Sequence, residues 1–246
     1  MNKLSQSRSF QYSQAMILVP IVLTLAIWIV FWLEIRFGFN FTSFGVRPRT
    51  LYGLIGVLCS PFIHGGVDHL WHNTIPAFVL SMALFYFYRD IAIKVLIYIA
   101  LFSGIGTWLI GRDAYHIGMS GVIYGLVSFL FFKGIVARHY RLIALSLVVV
   151  FFYGGLIWGT LPVNPEISWE GHLSGFVVGL ILALLFRKNI PEKPKFKWES
   201  EDYNEEEDPF MKHFDVNGNF IEFPEEENST EVMYHYISDV PSEEEE

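Results

Sequence analysis

The chain has 246 residues, 52% hydrophobic and 17% aromatic, with a mean hydropathy of +0.38, too apolar for an ordinary soluble domain of this length. Its net charge of −8 hides two unlike parts: residues 1–198 carry 16 Lys and Arg against 7 Asp and Glu, whereas residues 199–246 carry one Lys against 18 Asp and Glu. Cys59 is the only cysteine, which excludes an intrachain disulfide.

A bilayer core about 30 Å thick needs roughly 20 apolar residues per helix. Residues 1–13 form a short arm with Lys3 and Arg8 ahead of the first such stretch, 14–33. That stretch is too long for a signal-peptide core and lacks a small-residue cleavage site, so it reads as an uncleaved signal anchor. From Phe37 to Ile63 the chain is rich in Phe and Gly and too polar to span, suited to lying in the membrane interface. Five further apolar stretches follow at approximately 69–88, 91–110, 119–137, 142–161 and 171–187, the last short, glycine-rich and followed by Arg187 and Lys188. The expected fold is an all-α membrane protein, a bundle of six transmembrane helices over residues 14–187. Residues 188–246 read as an acidic, disordered tail, with runs at Glu205–Asp208, Glu225–Glu227 and Glu243–Glu246 and a local turn at Val216–Asn219.

Lys and Arg set the orientation. With both termini cytoplasmic, twelve of the 16 in residues 1–198 fall inside and four outside, as the positive-inside rule requires. The second, fourth and sixth stretches then all run from outside to inside. Their N-terminal ends share one depth, just below the outer surface.

Polar groups at that depth are costly and point to function. His69 and Asn73, four residues apart, open the second stretch; Ser120 opens the fourth within Gly118-Met119-Ser120-Gly121; His172 opens the sixth within Gly171-His172-Leu173-Ser174-Gly175. Gly121 and Gly125 on one helix and Gly171, Gly175 and Gly179 on the other form small-residue stripes that let backbones approach in lipid. Such a crossing brings the Ser120 hydroxyl to the His172 imidazole, the pairing that activates a serine nucleophile. By this reading valine at Gly175 forces the helices apart, while alanine is partly tolerated. The Ser120 N–H, at a positive helix end, and the His69 and Asn73 side chains are candidate donors to an oxyanion. No Asp or Glu lies within the two spans to orient His172, so another group must hold the ring, and Tyr124, one turn beyond Ser120, is a candidate.

Plainer readings accompany these residues. His69 and Asn73 could simply tether the outer loop. Trp71 and Trp169 read as interfacial anchors, Glu166 and Glu170 as solvated loop charges, and His139 as unremarkable. A metal hydrolase using His64, Asp68, His69, His72 and His172 would lack the HExxH signature. A transporter would call for paired broken helices or an inverted repeat, and neither is apparent.

Three elements together resemble the rhomboid family of intramembrane serine proteases. His64-Gly65-Gly66-Val67-Asp68-His69-Leu70-Trp71-His72-Asn73 is similar to its HxxxxHxxxN element, His116 to Gly121 to its GxSG element, and Gly171-His172-Leu173-Ser174-Gly175 with Gly179 to its AHxxGxxxG element. Met119 stands where a small residue is commoner, and Gly171 replaces the usual alanine. The resemblance implies a Ser120–His172 dyad without metal or cofactor, His69 and Asn73 assisting the oxyanion, Tyr124 packing on the histidine and His64 bonding within the outer loop. Gly118, Gly121, Gly171, Gly175 and Gly179 fall in the same elements. It also implies transmembrane proteins as substrates, the lipid bilayer as partner, no nucleic acid, and a multi-pass location in a bacterial cell membrane.

Overall fold

The computed structural model describes residues 12–164, 166–189, 198, 201–215 and 217–222. Lys3, Arg8, Lys193, Lys195, Lys197 and the acidic runs at 225–227 and 243–246 lie outside the described residues. The chain divides into two compact units, residues 1–193 and 194–246.

Among the described residues the first unit is all helical, with helices α1 (Gln14–Phe37), α2 (Gly56–Cys59), α3 (Val67–Phe87), α4 (Arg89–Ile110), α5 (Ser120–Ala137), α6 (Tyr140–Tyr153) and α7 (Trp169–Leu185). A 3-10 stretch, Gly154–Thr160, prolongs α6. Five helices are long and apolar enough to cross a membrane: α1, α3, α4, α5 and α6 with its extension. Helix α7 has 17 residues and is shorter.

Burial ranks the helices. In the most apolar stretch of α5, 61% is buried, against 17% in α1 and in α6, so α5 is the centre and the other two face outward. Leu126, Phe129 and Leu130 of α5 meet Leu80 and Leu84 of α3, Ile99 of α4 and Leu142 of α6 in one apolar cluster. Helix α1 leans on α3, where the Trp28 indole N–H donates to the Thr74 hydroxyl at 3.0 Å. Trp71 is half exposed and packs edge-on against Trp28 at 6.0 Å.

The α5–α7 crossing is the closest kind, backbone against backbone. A Cβ at Gly175 would overlap the Gly121 carbonyl oxygen, and one at Gly179 would overlap that of Gly125. Between Gly175 and Gly179 the Phe176 carbonyl accepts the Ser128 hydroxyl at 2.7 Å. Alanine at Gly175 therefore meets main chain that cannot rotate away. Helix α4 joins from a third side: a Cβ at Gly106 would overlap Ser174 Oγ, and that hydroxyl donates to the Ser103 carbonyl at 2.9 Å. At the other end Lys133, fully buried, donates through Nζ to the Phe186 carbonyl just past α7, meeting an acceptor left open by the helix end. His139, also buried, caps α6 by accepting the Arg141 N–H at 3.3 Å.

The segment after α1 does not hang free. Val46 and His116 exchange both backbone hydrogen bonds at 2.9 Å, Arg49 Nη1 donates to the Gly111 carbonyl at 2.8 Å, and Arg47 pairs with Asp113 at 2.8 Å. Trp32, Phe37, Phe39, Phe41, Phe44 and Tyr52 stand in ring contact one after the next.

In the second unit, 3-10 turns cover Glu205–Glu207 and Met211–His213. Phe214 pairs with Phe220 across the expected turn, where the Asp215 carboxylate accepts the Asn217 and Asn219 N–H groups at 2.8 Å.

Candidate active site

Ser120 is the first residue of α5 and His172 lies in the first turn of α7, so the glycine crossing sets them face to face. His172 Nε2 lies 2.9 Å from Ser120 Oγ, and His172 Nδ1 lies 2.9 Å from the Gly159 carbonyl oxygen. A carbonyl can only accept, so Nδ1 carries the proton and the Nε2 lone pair is left to accept from the serine hydroxyl. The Tyr124 ring stacks on the imidazole at 4.1 Å and 8°. The ring is thus fixed by a main-chain acceptor and an aromatic face, with no carboxylate.

Gly159 had no part in the sequence reading, since a backbone acceptor leaves no side-chain signature. Its place leaves no room for more: a Cβ there would overlap the Tyr124 hydroxyl and sit 3.2 Å from His172 Nδ1.

The turn before Ser120 is shaped by Gly118, at φ +106°, a conformation other residues rarely adopt. Its N–H donates to the Ser60 carbonyl at 2.8 Å, and a Cβ on it would come within 2.7 Å of His69 Nε2. The His69 ring therefore sits against the turn that leads into Ser120. Asn73 is buried and donates one amide hydrogen back to the His69 carbonyl at 2.7 Å, leaving its second amide hydrogen for another acceptor. A cavity of about 30 Å³ opens beside Ser120, walled by Ser60, Ser103, Thr107, Gly118 and Gly171. That is room for about two waters at the roughly 10–15 Å³ each requires. Among the described residues no three His, Cys, Asp or Glu side chains are grouped as a metal ion would need.

His64 lies in the loop ahead of α3, its ring 5.0 Å from that of His69, with Nε2 in a long 3.5 Å contact with the Met119 N–H. Burial first, and the neighbouring His69 second, hold its pKa down to about 4 from 6.5, outweighing a backbone bond at Phe62. The unfolded chain therefore takes up this proton more readily. Stability is complete above pH 6.5 and falls as the pH drops toward 4, by about 2 kcal/mol at pH 5. The melting temperature in detergent is expected to fall between pH 7 and 5, and His64→Gln to shrink that fall. An equal slope in the variant would refute the assignment to His64.

Glu170 is not the solvated loop charge its position suggests. It is 1% exposed and bound to Arg112, whereas Glu166 is exposed as expected. The glycine at 171 also has a reason, since the Cβ of an alanine would sit 3.0 Å from Ser168 Oγ, itself bonded to His116.

Residues 50–189 match the family model of the Rhomboid domain, more than half of the chain. The chain belongs to the rhomboid family. An uncharacterized protein of Mycobacterium tuberculosis is 40% identical to this rhomboid over 160 residues, 61% of this chain and 65% of the relative. Another, of Mycobacterium leprae, is 36% identical over 161 residues, 61% and 62% of the two chains. A rhomboid protein of Acanthamoeba polyphaga mimivirus is 27% identical over 145 residues, 54% of this chain and 75% of that one. The rhomboid spans just under two thirds of the length of the mycobacterial relatives. Family and apolar helices together make it a multi-pass integral membrane protein.

Proposed function

We propose that this rhomboid is an intramembrane serine endopeptidase, with Ser120 as nucleophile and His172 as general base, acting on a peptide bond in or near the transmembrane segment of membrane-protein substrates. The observation that carries the reading is the 2.9 Å contact of His172 Nε2 with Ser120 Oγ, in a tautomer set by the Gly159 carbonyl. As Oγ attacks the scissile carbonyl, Nε2 takes its proton, and the imidazolium returns that proton to the departing amine. Water then attacks the Ser120 ester by the same route in reverse, releasing the acid and restoring the hydroxyl. The Ser120 N–H at the α5 N-terminus, His69 and Asn73 face the developing oxyanion. No cofactor enters this chemistry.

The same reading takes α7 as a sixth crossing. Seventeen residues reach about 26 Å at 1.5 Å each, and Arg187 with Lys188 would carry the end to the surface. Both termini are then cytoplasmic in a bacterial cell membrane, with residues 1–13 as an arm, 14–187 as the protease core and 188–246 as a tail.

Labelling by a fluorophosphonate in detergent tests the mechanism: wild type is expected to label and Ser120→Ala not. Labelling of Ser120→Ala at another residue would overturn the assignment. The oxyanion role is tested by Asn73→Ala, expected to lower kcat by about 10–1,000-fold with little change in KM. Normal turnover per folded molecule would return Asn73 to a tethering role.

A further inference from the structure

Glycine against glycine gives a close crossing but a smooth one. Backbone surfaces without side chains offer few steps against sliding, so the axial register of α5 on α7 must come from directional bonds. Below the dyad the Ser128 hydroxyl supplies one, to the Phe176 carbonyl. Above it, the loop from Gly111 to Met119, which leads into Ser120, is neither helix nor strand and takes its shape from what it touches.

Two of its tethers reach the segment leading into His172. Arg112 stands eight residues before Ser120, and Glu170 two before His172. Glu170 Oε1 accepts the Arg112 backbone N–H at 3.1 Å, and Oε2 meets Arg112 Nη1 at 3.3 Å. Arg112 Nη2 donates to the Ile167 carbonyl at 3.0 Å. The second tether is His116: its Nε2 donates to the Arg112 carbonyl at 3.1 Å, so its Nδ1 accepts the Ser168 hydroxyl at 2.6 Å. A carboxylate 1% exposed is costly unless its lone pairs are met, and here a main-chain N–H and a guanidinium meet them. Arginine keeps its charge in such a setting and presents several donors in fixed directions, which is what a bond that sets register requires.

We infer that Arg112 and Glu170 are positioning residues, a clasp across the outer ends of α5 and α7, supported by His116 and Ser168, that holds Ser120 and His172 in register. The inference rests on the dyad reading above. Neither residue touches the dyad; both act through the segments that carry it. A slip of about 1 Å between nucleophile and base costs on the order of 100-fold in rate.

The test compares Glu170→Gln, Arg112→Gln, the double variant and Arg112→Lys in detergent. Cleavage is expressed per active site, counted by fluorophosphonate labelling carried to completion, beside KM and melting temperature. Each glutamine variant is expected to lower kcat per labelled site by about 10–100-fold, with KM within about two-fold. The double variant should be no slower than the slower single, because both break one link, and Arg112→Lys should recover part of the loss. Unchanged kcat per labelled site, with only fewer sites or a lower melting temperature, would make the pair merely structural and overturn the clasp. So would losses that multiply in the double variant. If Glu170→Gln does not fold, Arg112→Gln, at a side chain 38% exposed, decides alone. Turnover by Ser120→Ala would instead sink the dyad reading; a dead Ser120→Ala beside a normal Glu170→Gln would sink the clasp only.

Discussion

Ser120→Ala and His172→Ala are each expected to lower cleavage of a model transmembrane substrate by at least about 10⁴-fold, and the double variant to be no slower than either. On the proposed mechanism one proton passes between Oγ and Nε2, so removing either partner removes the whole step, and the losses do not add. The surroundings sharpen the expectation. The imidazole is held by one carbonyl and one aromatic face, and among the described residues no carboxylate is bonded to it. Substrate cleavage in detergent, with folding checked by melting, is the measurement. Appreciable turnover by Ser120→Ala, or a double variant slower by the product of the singles, would remove the dyad.

Gly175→Val is expected to abolish both labelling and cleavage while the protein remains inserted, and Gly175→Ala to lose most of each. The Cβ of either residue falls on the Gly121 carbonyl oxygen, a main-chain atom one residue from Ser120. The helices must part, and about 1 Å of parting costs on the order of 100-fold. Overpacking destabilises by roughly 1–3 kcal/mol, so melting is measured alongside. Gly121→Ala is the control: its Cβ would stop 3.3 Å from the Gly171 carbonyl, tight but short of overlap, and the variant should keep more activity. Normal labelling of Gly175→Val would show that the close crossing does not bring the pair together.

Much of this was legible in the sequence because lipid makes polar residues conspicuous. Alternating helix direction put the starts of three apolar stretches at one depth, and small residues every four positions marked which helices touch. What escaped notice lacked such marks. Glu170 precedes a span by little, as solvated charges do, and its burial depends on Arg112, 58 residues away. The acceptor for His172 is a carbonyl, which every residue has. Helix α4 meets α7 through Ser103, Gly106 and Ser174, too irregular a set to read as a stripe. Spacing tells that two backbones meet, not how closely, and the overlap of a Gly175 Cβ with the Gly121 carbonyl oxygen is visible only in the structure.

The buried position of Lys133 bears on the order in which the chain is made. Helix α5 is synthesised well before α7, yet its one charged side chain finds the Phe186 carbonyl only after α7 has been made. Until then α5 holds a cation, the Ser128 hydroxyl and bare glycine backbone with their final partners still on the ribosome. A chain stalled before residue 169 would present those groups to lipid or to the insertion machinery, the marks by which a quality-control system can tell an unfinished protein from a finished one. His172 arrives on that same helix. On the proposed mechanism the nascent rhomboid is inert throughout its synthesis and becomes competent to cut only when its membrane domain is whole.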